Sequence, residues 1–253
     1  MLNYRVIGNN PDKDWLVLVH GAGGSISSWF RQVQDFSRHF NLLLVDMAGH
    51  GESQDATMMQ DASFEKMAEQ IVEVIDHLKI EKCHFLALSI GCVVVQVIAK
   101  HHPSRIKKMV LAGAITTLNL KARLIIRITN RLKHILPYSA IKWMLVNIII
   151  PQKGTRKIYS ESVEQLSFAS FLTWLGIITK MNRLITSIFS YKCCIPTLYL
   201  MGEADSLFLS EARRTVKRNK EYTSLIVVPN AGHACNIDNK EFFNSTSINY
   251  LLA

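Results

Sequence analysis

The stretch Cys83-His-Phe-Leu-Ala-Leu-Ser-Ile-Gly91 decides the fold of this 253-residue chain. Its first six residues are mostly apolar, as in a buried strand, and the residues after Gly91 are typical of an apolar helix that ends before Pro103. Ser89 therefore lies on a sharp turn between a strand and a helix, with small residues two positions before it and two positions after it. A serine on such a turn can act as a nucleophile, although serine is also a common N-cap residue of helices.

The same alternation of short apolar runs with helical patterns extends to both sides of this stretch. Buried strands are predicted over residues 15–20, 41–46, 83–88, 108–112, 196–201 and 224–228, and helices over residues 29–40, after the N-cap Ser63, and over residues 240–252. Continuous apolar strands separated by helices indicate a mostly parallel sheet with helices on both faces. The predicted fold class is therefore a doubly wound α/β sheet, in which reactive groups collect at the carboxyl ends of the strands.

Residues 118–190 interrupt this alternation, because no convincing strand falls between the strand that ends near Ala112 and the strand that starts near Pro196. The pattern there is helical, and a loop of such length is uncommon in a compact domain. We interpret residues 118–190 as a helical cap inserted over the carboxyl edge of the sheet, with residues 1–117 and 191–253 as the core. An apolar arc on the first cap helix comprises Leu120, Leu124, Ile125, Ile128, Leu132, Ile135 and Leu136.

Two further polar residues follow predicted strands and complete a candidate catalytic group. Asp205 comes just after the strand over residues 196–201, and His233 comes just after the strand over residues 224–228. A serine nucleophile needs a base that takes its proton and an acid that orients the base. We predict Ser89 as the nucleophile, His233 as the general base and Asp205 as the orienting acid.

A glycine-rich turn, His20-Gly-Ala-Gly-Gly24, follows the first predicted strand. Its shape can turn backbone amides inward, so the amides of Ala22 and Ile90 are the predicted oxyanion hole. Phosphate binding is the other function of such turns, but the Lys-Ser/Thr of a P-loop and the spacing of a dinucleotide fingerprint are both missing. We expect His20 itself to have a structural role.

Together these motifs resemble the α/β-hydrolase superfamily over nearly the whole chain, in particular its small bacterial esterase-like members with a helical cap. The turn Asp46-Met-Ala-Gly-His-Gly-Glu-Ser53 is similar to a turn of that family, and the order serine, aspartate, histidine matches the family's order. The resemblance implies an α/β-hydrolase fold, a short strand around residues 4–7, and two-step acyl transfer that needs no metal or organic cofactor. Ala87 and Ala48 depart from the family's usual residues, but neither departure removes a catalytic group.

The positive charge of the chain is concentrated in the predicted cap. The chain has 29 basic and 20 acidic residues, and eleven basic but only two acidic residues fall within residues 118–190, so the cap carries the whole net charge of +9. Arg123, Arg127 and Arg131 recur every four residues beside the apolar arc. They are either a solvated flank of the helix or a site for an acidic carrier protein, an anionic membrane surface or a charged substrate. Binding of nucleic acid is disfavoured, because no DNA- or RNA-recognition motif accompanies the charge.

Four cap residues are the candidate substrate-binding residues: Arg123, Arg127, Trp143 and Trp174. Aromatic residues at helical spacing commonly serve only for packing, but a cap over the site must present some of them to the substrate. We therefore predict an ester or thioester substrate with an apolar acyl or aromatic part. A carbon–carbon bond hydrolase or lyase, a slowly hydrolysing ligand sensor that acts through a protein partner, and a membrane-surface lipase are the alternatives.

Compartment and metal content are also predicted from the sequence. Residues 1–14 lack the pattern of a signal peptide, and the longest apolar runs fall far short of the roughly 20 residues of a membrane-spanning helix. The five cysteines are odd in number and show no spacing typical of metal ligands. These features favour a cytoplasmic protein without a metal site.

Overall fold

The computed structural model describes residues 1–150, 152, 154–158, 166–190 and 193–253. Parts of the predicted cap, including Lys153, Glu161 and Glu164, and the predicted core boundary at residue 191 lie outside the described residues.

Seven strands form a single sheet in the order β1-β3-β2-β4-β5-β6-β7. The strands are β1 (Tyr4–Ile7), β2 (Trp15–Val19), β3 (Asn41–Val45), β4 (Cys83–Leu88), β5 (Ile106–Ala112), β6 (Thr197–Gly202) and β7 (Thr223–Val228). Only β1 pairs antiparallel, with β3, among the described strands. The mostly parallel sheet confirms the predicted fold class, and the predicted strands match the observed ones to within two residues.

Eleven α-helical segments are described around the sheet. They are α1 (Val33–Phe36), α2 (Phe64–His77), α3 (Ile90–His101), α4 (Leu120–Leu132), α5 (Tyr138–Ile149), α6 (154–158), α7 (Phe168–Lys180), α8 (Asn182–Ser190), α9 (Leu209–Arg218), α10 (Cys235–Asp238) and α11 (Lys240–Leu252). The Ser63 side chain accepts a hydrogen bond from the Lys66 amide at the start of α2, as predicted for an N-cap. In the part of the chain that the structure describes, no helix is long and apolar enough to cross a membrane.

The predicted helix over residues 29–40 is wrong in its extent. Ser25 and Ser28 form a capping box around a single 3₁₀ turn (Ile26–Trp29), and within residues 29–40 only the four-residue α1 is α-helical. Trp29, Phe36 and Phe40 are all buried in one core cluster, as expected from their spacing, which would place them within about 40° on one helix face, but short turns and not one continuous helix bring them there.

Each central strand is buried on both faces, which explains its continuous apolar sequence. Side chains alternate between the faces, so that Val17, Phe85 and Met109 belong to one core cluster with residues of α2 and α3. Leu16, Leu86 and Val110 belong to a second cluster on the opposite face, with Trp29, Phe36 and Phe243 of α11. The rigid sheet between the two clusters holds the carboxyl ends of β2, β4, β5, β6 and β7 at one edge.

Helices α4 to α8 lie between β5 and β6, where the cap is predicted. The last of them, α8, packs against α3 of the core, and the Lys100 ammonium donates a hydrogen bond to the Ser187 hydroxyl at 3.1 Å. Helix α4 turns part of its apolar arc towards solvent, since Leu120, Leu124 and Ile128 are exposed whereas Ala122 and Thr129 are buried. The arc residues therefore lie on a helix, as predicted, but several of them face solvent and do not pack against the core.

Candidate active site

Ser89 lies at the carboxyl end of β4 in a backbone conformation that is unusual for a residue with a side chain. Its φ is 55° and its ψ is −116°, and its amide donates a hydrogen bond to the Ala112 carbonyl at the end of β5 (2.8 Å). The turn is tight because α3 begins directly against β2. A Cβ atom on Gly91 would lie 2.5 Å from the His20 carbonyl oxygen and 2.6 Å from that of Val19, so only glycine fits there.

His233 connects Ser89 to Asp205. The Nε2 atom of His233 lies 2.8 Å from Ser89 Oγ, and its Nδ1 atom lies 2.9 Å from Asp205 Oδ2. The other carboxylate oxygen of Asp205 accepts hydrogen bonds from the amides of Leu207 (3.2 Å) and Phe208 (3.1 Å). The carboxylate thus favours the imidazole tautomer with its proton on Nδ1, which leaves Nε2 to accept the serine proton.

The environment of Asp205 keeps its carboxylate ionised. Burial by itself would raise the pKa of Asp205, but the charge and hydrogen bond of His233 and the amides of Phe208 and Leu207 outweigh burial and lower this pKa. A buried anion beside the imidazole would stabilise the imidazolium that forms when His233 takes a proton.

Gly113 makes room for the imidazole, and the sequence interpretation overlooked it. It follows β5 directly with a φ of 52°, and a Cβ atom there would lie 2.7 Å from the His233 carbonyl oxygen and 3.2 Å from its ring. The signal that could have revealed Gly113 is a glycine directly after a predicted buried strand. Gly21 has the same placement after the predicted strand over residues 15–20. Phe208 was also missed, although its ring centroid lies 5.2 Å from that of His233.

Ala22 and Ile90 lie beside Ser89 in the same cavity. Ile90 is the first residue of α3, where backbone amides have no acceptor within the helix. The glycine-rich turn approaches the serine closely, since a Cβ atom on Gly21 would lie 3.2 Å from Ser89 Cβ. The structure therefore brings the two residues of the predicted oxyanion hole together next to the serine.

Two buried histidines hold the glycine-rich turn in place. His20 accepts a hydrogen bond from the Met47 amide (3.0 Å) and His50 accepts one from the Gly23 amide (2.9 Å), so both acceptor nitrogens must be unprotonated. Burial lowers the pKa of both imidazoles, and the pKa of His50 falls to about 3, with the nearby His20 as a further cause. His20 has the structural position expected for it, and His50 extends the same network.

A cavity of about 180 Å³ opens at Ser89 and His233 beneath the cap helices. Helix α4 contributes Ala122, Ile125, Ile126 and Thr129 to its wall, and α7 contributes Phe171 and Trp174, among others. Apart from Ser89, His233 and Thr129, the described residues that line the cavity have apolar side chains. The cavity therefore suits an uncharged, apolar group.

The four predicted substrate-binding residues have different positions. Trp174 is buried and lines the cavity, and its indole N–H donates a hydrogen bond to the Ala48 carbonyl (3.0 Å). The prediction that Arg123, Arg127 and Trp143 bind substrate there is corrected, because Trp143 is 70% exposed and the two arginines line a separate surface depression with Thr179. Helical geometry explains this, since the face of α4 that carries Ala122 and Thr129 meets the cavity and points the arginines away from it.

Comparison with known proteins agrees with this fold. Residues 14–137 match the model of a family described as the alpha/beta hydrolase fold. A relative from Acinetobacter baylyi, named (E)-2-((N-methylformamido)methylene)succinate hydrolase, is 24% identical over 237 residues, which cover 90% of this chain and 87% of the relative.

Solved structures of known enzymes are similar over the full chain. The enol-lactonase from Burkholderia xenovorans superposes with a TM-score of 0.81 and 20% identity, covering 100% of this chain and 96% of the enol-lactonase. The esterase EaEST from Exiguobacterium antarcticum gives a TM-score of 0.83 and 18% identity, with coverage of 100% and 96%. The chain has the α/β-hydrolase fold, and its residues 14–137 match that family, as the sequence resemblance implies.

A pair of glycine substitutions tests the tight turn at Ser89. Gly91→Ala should lower the free energy of unfolding by about 1–3 kcal/mol, because its Cβ would overlap the carbonyl oxygens of Val19 and His20. Gly176→Ala in α7 is the matched control, since a Cβ there meets no atom within 4 Å, and it should stabilise by about 0.5–1 kcal/mol. Urea denaturation measures both values, and equal effects of the two substitutions would contradict the proposed packing.

The buried histidines predict a loss of stability in acid. Their folded-state pKa values lie below the usual 6.5, so their contribution is present above pH 6.5 and is lost as the pH falls towards the folded value, about 3 for His50. The free energy of unfolding should fall between pH 6.5 and pH 4.5 by up to about 1.4 kcal/mol per pH unit for each imidazole. In the His50→Gln variant, the loss of unfolding free energy per pH unit should be smaller by about this amount. If a folded variant loses as much stability per pH unit as the wild type, His50 does not contribute to the loss of stability in acid.

Proposed function

We propose that this protein is a serine hydrolase that cleaves a carboxylic ester or thioester with an uncharged, apolar acyl part. The proposal rests on one observation: Ser89, His233 and Asp205 form a continuous hydrogen-bonded chain, with separations of 2.8 Å and 2.9 Å, at the mouth of an apolar cavity. A polar chain of this kind at the end of an apolar cavity has the arrangement that acyl transfer requires.

In the first step, Ser89 attacks the carbonyl carbon of the substrate and His233 Nε2 takes the hydroxyl proton. The tetrahedral intermediate then collapses, the bond to the leaving oxygen or sulfur breaks, and His233 protonates the leaving alcohol or thiol. Water attacks the acyl-enzyme in the second step and gives a proton to His233. The bond to Ser89 breaks, the carboxylic acid leaves, and Ser89 regains its proton.

The negative charge of the tetrahedral intermediate develops next to the glycine-rich turn. We propose that the backbone amides of Ala22 and Ile90 donate hydrogen bonds to this oxygen, since both residues line the cavity beside Ser89. The amino-terminal end of α3 adds a favourable dipole there. Neutral His50 supports this arrangement through its hydrogen bond from the Gly23 amide, because that bond fixes the turn that contains Ala22.

The composition of the cavity supports an uncharged acyl group. A carboxylate in the cavity would be buried without a cation, because no Lys or Arg belongs to the described lining residues. The Acinetobacter baylyi relative is named for a succinate derivative, and succinate carries carboxylate groups. We therefore propose that the substrate of this chain differs from that compound in the charge of its acyl part.

Substitution of Ser89 and Asp205 tests the catalytic assignment. Ser89→Ala should abolish both labelling by a fluorescent fluorophosphonate and hydrolysis of p-nitrophenyl esters, whereas Ser104→Ala, at an exposed serine, should change neither. Asp205→Asn should remain folded but lose on the order of 10³–10⁴-fold in kcat, because the imidazole loses its preferred tautomer.

The outcomes of this assay separate the alternatives. Labelling of the wild type without ester turnover would favour a ligand sensor or cleavage of a specialised carbon–carbon bond. No labelling of the folded wild type would contradict the assignment of Ser89 as the nucleophile.

Enlarging a residue of the cavity wall tests the location of the acyl group. Ala122 faces the cavity from α4, and Ala122→Phe should shift the optimal ester to a shorter chain and reduce kcat/KM for long esters by at least about tenfold. Leu120→Phe is the matched control, because Leu120 lies two residues earlier on the same helix but is exposed. Rates of p-nitrophenyl esters from two to twelve carbons measure the effect, and equal chain-length profiles for both variants would place the acyl group elsewhere.

A further inference from the structure

Helix α4 has two faces with different surroundings. Its inner face, with Ala122, Ile125 and Thr129, forms part of the cavity wall. Its outer face carries Leu120, Leu124 and Ile128, which are 83%, 57% and 42% exposed although they are large and apolar. These residues recur every four positions, so they form one ridge along the helix.

Basic side chains share this outer face. Successive residues of an α-helix are about 100° apart, so Arg127 and Arg131 each lie within roughly 20° of Leu120 around the helix axis. Both arginines are exposed. Arg123 lies further round on the same flank, and Ile135, which follows the end of the helix, is also exposed.

The sequence leaves this positive charge uncompensated along the chain. Between Glu81 and Glu161 the chain has no Asp or Glu, so neither α4 nor its sequence neighbours supply an acidic side chain. Exposed apolar residues are unfavourable in water, and arginines without acidic neighbours in the sequence attract anions.

We propose that the outer face of α4 docks on an anionic lipid surface. Such a surface satisfies both properties at once, because aliphatic side chains enter the acyl boundary while arginines remain among the charged headgroups. The apolar residues form a ridge on a helix and not a groove, which suits insertion between lipids better than capture of a peptide. An acidic carrier protein would match the charge but gives no reason for three exposed apolar residues along one helix face.

Docking in this orientation brings the lipid surface next to the cavity wall. Only the thickness of α4 separates the ridge from Ala122 and Thr129, since opposite faces of one helix carry them. The inference goes beyond the proposed function, because lipid binding by α4 requires neither Ser89 nor a particular substrate.

Vesicle sedimentation with the full chain tests the proposal. The protein should bind vesicles of phosphatidylcholine with about one-third phosphatidylglycerol, bind weakly to pure phosphatidylcholine, and be released by high salt. The double substitution Arg127→Glu and Arg131→Glu should lower the partition coefficient by at least about tenfold, since each basic residue near such a surface contributes roughly fivefold. Replacing Leu120 and Leu124 by Ser should also weaken binding by about tenfold or more.

The matched control changes the same charge elsewhere. Arg213→Glu with Lys217→Glu reverses an exposed pair at the same four-residue spacing on α9 and should leave vesicle binding within about twofold of the wild type. An equal loss in this control would show that only net charge matters and would overturn a specific surface on α4. Ser89→Ala should bind vesicles as the wild type does, so loss of the proposed hydrolase activity and loss of docking can be distinguished.

Two further results would replace the lipid by another partner. If polyglutamate binds through Arg127 and Arg131, vesicles do not bind, and the leucine substitutions have no effect, the partner is an acidic protein. If size-exclusion chromatography shows a dimer that the leucine substitutions dissociate, a second copy of this chain covers the ridge. Either result would overturn the proposal.

Discussion

The positive-φ turn at Ser89 is the constraint on which the rest of the site depends. A residue with a side chain adopts this conformation only when its surroundings fix it, and here three neighbouring strands do so. The end of β5 accepts the Ser89 amide, and the end of β2 presses against Gly91. Because the sheet places β2, β4 and β5 side by side, the serine hydroxyl is held at the carboxyl edge, and its partners His233 and Asp205 follow from the next strands along that edge.

A second layer of interactions keeps this edge rigid. The buried Asp46 carboxylate accepts hydrogen bonds from the Ile26 amide (2.7 Å), the Glu52 amide (3.0 Å) and the Asn3 side chain (2.8 Å), so it ties three separate segments together. His20 and His50 complete this network as neutral imidazoles whose pKa values burial has lowered. The apolar environment therefore sets both the shape of the glycine-rich turn and the protonation state that maintains it.

The cap separates two chemical environments across the width of one helix. The inner residues of α4 are small or apolar and form the cavity wall, while the outer residues alternate between arginine and exposed aliphatic side chains. Trp174 of α7 links the cap to the core, since its indole contacts the Ala48 carbonyl and its ring packs against that of His50 with a centroid separation of 4.9 Å. The cap is thus joined directly to the network that positions the glycine-rich turn.

The sequence by itself determined the sheet, the order of the strand-end residues and the helical character of the described part of residues 118–190. Strands buried on both faces read as continuous apolar runs, and Ser89, Asp205 and His233 each follow such a run, so their common edge was predictable. The tertiary structure alone decided which face of α4 meets the core. Periodicity fixes which residues share a helix face but not the direction of that face, and this is why the arginines of α4, and likewise Trp143 of α5, were misplaced. It also decided that residues 29–40 form short turns and not one helix, which the spacing of Trp29, Phe36 and Phe40 could not reveal because these positions would share one face of a helix.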